Sequence, residues 1–387
     1  MSYPIPDSIA LAHSEALTQK IREAIEASQG AISFARFMAL ALYAPGLGYY
    51  SAGAQKFGKE GDFITAPEIS PLFAECIARQ CQSIFLESEE NNFLEIGAGS
   101  GIFAKDLLFA LEKLDALPKN YFILEVSAEL RARQEQFLKT HCASFFSRII
   151  WLSTLPEEFS GVVFANEVLD AMPAHCFQIE NNKIIQERCV TFENNYFDWI
   201  LKPPSLELEN AIKNLSLSFP QDKIYQSEIN LMHSAWIKSL SAILKSGLIL
   251  LFDYGYGRNE FYHPDRTHGT LMCFYQHHKH TNPFLYVGLQ DITAHVDFTT
   301  LAESATASDL FLAGFTTQAG FLLACDLLAI ADTENLSEIE RYKKNQAIKT
   351  LTLPSQMGEI IKVMALTKNI NTQPLLGFTW QDRRRDL

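Results

Sequence analysis

The run "NFLEIGAGSGIFAKDLLFALEKL", residues 92–114, constrains the fold more than any other stretch of the 387-residue chain. A short apolar strand leads into Gly97, Gly99 and Gly101, and a segment with apolar residues at helical spacing follows. The alternation then repeats. "NYFILEVS" (120–127) reads as a second strand and "SAELRARQEQFLKTH" (127–141) as a second helix, with Ser127 and Glu129 near its start. "SRIIWL" (147–152) reads as a third strand and "GVVFANEV" (161–168) as a fourth. Strands alternating with helices of this length predict right-handed crossovers and a mostly parallel sheet with helices on both faces, an α/β fold.

The spacing of the glycines bears on what the turn can hold. A dinucleotide fingerprint, G-x-G-x-x-G, needs a small residue at position 102, where this chain has Ile102. With Ile102 the helix cannot approach its strand closely enough to seat a pyrophosphate on its N-terminus, which disfavours a nicotinamide-dependent oxidoreductase. G-x-G-x-G suits a ligand without phosphate, such as S-adenosyl-L-methionine (SAM), close enough to the backbone that Cβ atoms would collide with it. Glu125 ends the second strand 24 residues after Gly101. An ionised carboxylate there can accept two ribose hydroxyls, or it can sit as an N-cap neighbour of the helix that follows.

Distinctive polar residues gather at one edge of the predicted sheet. Gly97–Gly101 follow the first strand, Glu125 ends the second, Asn166 and Glu167 end the fourth, and Asp253 and Tyr254 end "LILLFDYG" (248–255), a fifth. Ligands of open α/β sheets bind at the carboxyl ends of strands. Glu167 and Asp170 stand one turn apart if Glu167 opens a helix, so they could grip one ligand or could simply complement a helix N-terminus. His295 and Asp297 in "DITAHVDF" could form a second polar cluster with His295 as proton acceptor, or could cap a helix starting near Asp297.

Outside this core, residues 1–90 are expected to form an N-terminal helical and lid region, with the remaining core at 91–387. "SEALTQKIREAIEAS" reads as a helix with Ser14 as N-cap, and "SFARFMALALY" (33–43) as a second. The glycine- and aromatic-rich stretch from 44 to 70 is too long for a simple turn and reads as a lid or binding loop. Insertions are expected at about 177–226, beginning with a β-hairpin, and at 258–298. A helix from about Ser227 to Leu244 should end with Gly247 in the left-handed C′ position. "FLLAC" (321–325) and "GEIIKVMALT" (358–367) read as two more strands.

Composition narrows the function class. A net charge of −13 disfavours a nucleic-acid binder, which needs a basic face. The seven cysteines are scattered with no C-x-x-C pair, as expected of reduced thiols rather than a disulfide framework. "QHHKH" (276–280) lacks a metal-site spacing and reads as an exposed polar loop, so no metal is expected. No apolar run approaches the ~18–20 residues of a membrane span, and the N-terminus carries neither a secretory nor a transit pattern, so a cytoplasmic protein is expected.

Taken together, "GDFITAPEIS" (61–70), "LEIGAGSG" (94–101), "LEVSAELRARQ" (124–134), "NEVLDAMPAHCF" (166–177), "LFDYG" (251–255), "GLQDITAHVDF" (288–298) and "MGEIIKVMAL" (357–366) resemble the MidA family of class I SAM-dependent methyltransferases, whose members include a mitochondrial complex I assembly factor. The resemblance implies a seven-stranded Rossmann-like core, SAM as methyl donor and S-adenosylhomocysteine as product. It further implies an arginine acceptor on a protein, with a respiratory complex subunit as the partner of mitochondrial members. Ser100 departs from it, standing where a bulkier, often basic residue is expected. The expected cofactor-binding set is Gly97, Ala98, Gly99, Gly101, Glu125, Val126, Leu152 and Asn166, with Thr65 and Ser70 reaching the amino-acid end. The expected catalytic set is Glu167, Asp170 and His295. A non-catalytic assembly protein that keeps the fold and a small-molecule methyltransferase are the alternatives.

Overall fold

The structure, a computed structural model, describes residues 3–51, 64–87, 90–180, 184–220, 222–332, 336–370 and 374–387. Most of the expected lid stretch, residues 52–63, lies outside the described residues. The chain forms two compact units. One comprises Met1–Phe63, Leu169–Ala235 and Arg258–Val296; the other comprises Ile64–Val168, Trp236–Gly257 and Asp297–Leu387. The two insertions thus group with the first sixty-three residues, whereas 64–90, placed with the N-terminal region in the sequence reading, group with the sheet-bearing unit.

The second unit holds β1 (Asn92–Ile96), β2 (Asn120–Leu124), β3 (Ile149–Leu152), β4 (Phe159–Asn166), β5 (Leu244–Tyr256), β6 (Phe311–Thr317) and β7 (Ile361–Lys368). Their order across the sheet is β6-β7-β5-β4-β1-β2-β3, and a two-residue eighth strand, Val296–Asp297, pairs with β5 off this path. Against the expected seven, the sheet therefore has eight strands among the described residues. β1 to β5 run parallel, and β7 is antiparallel to both its neighbours. All five residues of β1 are buried, as a strand covered on both faces requires. Phe164 of β4 stacks on Phe103 of the first crossover helix, Ile102–Lys113, at 4.3 Å between centroids.

Three local expectations are corrected here. "FLLAC" belongs to a helix, Gln318–Ala324, because Thr317 ends β6 and its side chain accepts from the Gly320 N–H as an N-cap. Short apolar runs do not separate a strand from a buried helix turn by pattern alone. Gly247 lies inside β5 rather than at a helix C′ position; the preceding helix is His233–Ile243, and Tyr225–Ile229 is a strand. At φ +142° a Cβ on Gly247 would stand 1.9 Å from the Gly161 carbonyl oxygen of β4, so the position serves close strand approach.

In the first unit, the helix Ser8–Ala27 starts at Asp7, whose carboxylate accepts from the Ala10 N–H. Ser14 lies inside that helix and donates to the Val287 carbonyl instead of capping. Ser33 caps Phe34–Tyr43. The strands Ile32–Ser33, Ile184–Glu193, His175–Glu180 and Tyr225–Ile229 lie in that order in an antiparallel sheet, with Tyr196–Lys202 paired to Ile184–Glu193. The expected hairpin is part of this sheet. "QHHKH" turns a second hairpin: Met272–Tyr275 pairs with His278–His280, and Gln276 and His277 both take positive φ. A core of Leu17, Ile21, Phe34, Phe37, Met38 and Tyr49 backs this unit.

Candidate functional site

The chain reverses direction across the sheet between β1 and β4. Its course runs β1-β2-β3 toward one edge, then β4 and β5 toward the other. Such a switch point opens a crevice beyond the carboxyl ends of the two strands. In the β1–β4 register Ile96 faces Ala165 as the last pair, so Gly97 is the first residue beyond β1, and Asn166, the last residue of β4, is paired with Phe252 of β5 alone.

The turn after β1 is built on left-handed backbone. Gly97, Gly99 and Gly101 have φ of +73°, +53° and +83°, and Gly101 is the N-cap of Ile102–Lys113. A side chain would strain each of them, whatever the space. Space adds to this at Gly97, where a Cβ would lie 3.0 Å from Val168 Cγ2, while at Gly101 it would meet ordinary contacts. Ala98 is buried. Ser100, the residue that departs from the family pattern, donates from Oγ to Glu68 Oε1 and accepts from the Ile102 N–H at 3.3 Å. Glu68 belongs to the short helix Ala66–Ile69, so "APEIS" is tied to the glycine turn through Ser100. Thr65 stands half-buried at that helix's N-cap without a side-chain cap bond, and Ser70 Oγ accepts from the Leu72 N–H.

Glu125, buried at the end of β2, receives the Ser127 N–H on Oε1 at 2.8 Å and the Gln134 amide on Oε2 at 3.0 Å. Burial raises its carboxyl above the usual range, opposed first by the Ser127 N–H and then by Gln134. Both expected roles remain chemically open to it, since a carboxylate offers about four acceptor positions. Val126 is 77% exposed, and the carbonyl of Leu152, ending β3, accepts from the Glu125 N–H at 3.1 Å.

No helix follows β4. Glu167 has φ +53°, in the left-handed region, so the expected helix opening at Glu167 is replaced by a tight turn. The turn is pinned from β5: the Glu167 N–H donates to the Phe252 carbonyl at 2.9 Å, and the Val168 N–H to Asp253 Oδ2 at 3.1 Å. Asp253 is 0% exposed, and its other oxygen receives the Tyr254 N–H at 2.8 Å. A glutamate held at positive φ stores strain of about 1 kcal/mol or more, a cost that clusters at functional sites. Asn166 donates from Nδ2 to Glu167 Oε1 at 3.1 Å, and its Oδ1 is buried with no hydrogen-bond partner among the described residues. A buried acceptor without a donor, next to a glycine turn at the switch point, fits a ligand that carries N–H or O–H groups.

Asp170 and His295 lie in the other unit. Asp170 is buried, and its carbonyl accepts from the Ala294 N–H at 3.0 Å. The His295 N–H donates to Thr270 Oγ1 at 3.0 Å. Sequence reasoning missed Tyr43, Tyr50 and Asp291 here. Tyr50 donates to the buried Asp291 carboxylate at 2.9 Å and stacks on Tyr43, whose hydroxyl donates to the Ala171 carbonyl. Burial, then Asp291, pushes the Tyr50 hydroxyl well above its usual range. The available signal was the tyrosines of "YAPGLGYY" (43–50) and the acid in "QDIT". Asp297 caps the helix Phe298–Thr306, accepting from the Thr299 and Thr300 N–H groups.

Sheet order, glycine turn and strand-end polar residues together define the class I SAM-dependent methyltransferase fold. The chain belongs to the MidA-type family whose model, "Putative S-adenosyl-L-methionine-dependent methyltransferase", matches residues 76–316. It is 38% identical to a superfamily member from Burkholderia thailandensis bound to S-adenosyl-homocysteine, with a TM-score of 0.94 over 100% of both chains. It is 28% identical to the mitochondrial protein arginine methyltransferase NDUFAF7 homolog of Drosophila melanogaster, over 91% of this chain and 86% of that protein. The Homo sapiens protein of that name is 27% identical, over 92% and 84%.

Proposed function

We propose that this chain methylates arginine side chains of a protein substrate, with SAM as donor. The observation that carries the reading is the left-handed glycine turn at the switch point beside the orphaned Asn166 Oδ1. Gly97–Gly101, Glu125 and Asn166 are the residues that would hold the cofactor, with Ala98, Val126 and Leu152 beside them and Thr65 and Ser70 toward its amino-acid end. SAM supplies, when bound, an electrophilic methyl group on a positively charged sulfur.

Arginine is protonated at neutral pH, so its nitrogen is a poor nucleophile until carboxylates localise the charge and a base removes a proton. Glu167, rigidly placed by its turn, is our candidate to orient the guanidinium; Asp170 and His295, expected from the sequence as the assisting carboxylate and the proton acceptor, belong to the first unit and take no part in this site. The arginine methyltransferase names of the relatives support the acceptor type. A respiratory complex subunit is the partner we propose, by the family resemblance.

All seven cysteines are free and buried, which supports a reducing compartment such as the cytoplasm. No helix among the described residues is long and apolar enough to cross a membrane. Mass spectrometry of the host proteome with and without the chain tests the proposal. A methylarginine that disappears on deletion and is restored in vitro by the purified wild type, but not by Glu167→Gln, is expected. An unchanged arginine methylation pattern would sink the reading.

A further inference from the structure

Gln134 lies two turns into the helix Ala128–His141 and is 0% exposed. Its side-chain amide reaches three places at once. Nε2 donates to the Gly99 carbonyl at 3.0 Å and to Glu125 Oε2 at 3.0 Å, and Oε1 accepts from the Trp151 indole N–H at 3.1 Å. The partners belong to the turn after β1, the residue following β2, and β3 itself. One buried amide therefore ties together three adjacent parallel strands at the carboxyl edge, where the switch point lies.

Only a carboxamide meets this demand. It must offer two N–H donors and one acceptor from a planar group; glutamate lacks the donors and methionine lacks both functions. An apolar residue of similar volume would fill the core but would leave the Gly99 carbonyl, Glu125 Oε2 and the Trp151 indole N–H without this partner. The groups that Gln134 orients are the glycine-turn carbonyl and the acid to which the proposed function assigns cofactor binding.

We infer that Gln134 is a positioning residue for the cofactor: it presets the Glu125 carboxylate and the Gly99 peptide in the geometry that binding requires. The inference rests on the cofactor-site reading above. Without the amide, Glu125 keeps the Ser127 N–H but is free to rotate about its other oxygen, and the cofactor must order it on binding. Removing Nε2 also takes away one of the hydrogen bonds that favour the ionised Glu125.

The test is calorimetric titration of the full chain with S-adenosylhomocysteine, between about pH 6 and pH 9, for wild type, Gln134→Met, Gln134→Glu and Glu125→Gln. Gln134→Met, near in volume, should bind about tenfold more weakly or worse, the scale of one lost charge-assisted hydrogen bond. Gln134→Glu carries a distinct signature. At low pH the two facing carboxyls share a proton, which replaces the amide's donor to Glu125 but not the one to Gly99, so affinity lies between that of Gln134→Met and that of the wild type. As pH rises both ionise, the donor vanishes and the like charges repel, so affinity falls while the wild type changes little. A purely packing role for Gln134 would not produce that profile, and the profile decides the matter if Gln134→Met fails to fold. Binding by Gln134→Met within twofold of wild type, or a Gln134→Glu profile as flat as the wild type's, would overturn the inference where Glu125→Gln still weakens binding. Unimpaired binding by Glu125→Gln would overturn the role of Glu125, and the inference with it.

Discussion

Glu167 sits in a backbone conformation that L-residues with a Cβ adopt at a cost, fixed by hydrogen bonds to Phe252 and Asp253. Stability and function should therefore separate at this position. Glu167→Gly removes the steric cost and is expected to unfold at or above the wild-type temperature, whereas Glu167→Ala keeps that cost, on the order of 1 kcal/mol. Both variants should lose methyl transfer. Thermal melts beside a methyl-transfer assay check this, and a Glu167→Gly variant with undiminished turnover would remove the residue from the proposed chemistry. Its position at a strand end was legible in the sequence, but its left-handed backbone was not. Glycine and asparagine announce such a turn; glutamate followed by Val168 reads as the start of a helix.

At the scale of the element, β1 carries an acid inside a covered strand. Glu95 is 3% exposed, and burial pushes its carboxyl up to about 8, against a lowering by the Tyr121 hydroxyl that donates to Oε2 at 2.7 Å. The folded value lies above the unfolded one, so the stability contributed by the neutral carboxyl is complete below the unfolded pKa of about 4.5. It declines as pH rises and is lost as pH passes through the folded value of about 8. The slope is about 1.4 kcal/mol per pH unit for one proton. Glu95→Gln cannot ionise and still accepts from Tyr121, so its urea midpoint should fall less between pH 5 and pH 8 than that of the wild type. Parallel curves for the two proteins would refute this. The alternation of strands and helices from 92 to 166 could be read because each element has the length and period that its type demands. Gln134 could not, since a glutamine within "RARQEQ" reads as part of a solvated helix face. Its burial depends on Gly99, Glu125 and Trp151, distant in sequence.

For the molecule as a whole, the first unit draws on three separate chain segments and the second on three more. Hydrophobic periodicity is local, which is why the insertions were visible as interruptions but their common grouping with residues 1–63 was not. The strand-end residues were easier to gather, because a parallel sheet brings every carboxyl end to one edge once the strands are identified. That edge carries the central claim: the turn of Gly97, Gly99 and Gly101 holds the adenosyl cofactor of a methyltransferase. Calorimetric titration of the chain with S-adenosylhomocysteine, for the wild type and Gly99→Val, tests it most directly. Saturable binding by the wild type, abolished in Gly99→Val because a β-branched residue cannot hold φ +53°, is the predicted result. No binding at about millimolar ligand, or equal binding by both proteins, would contradict it.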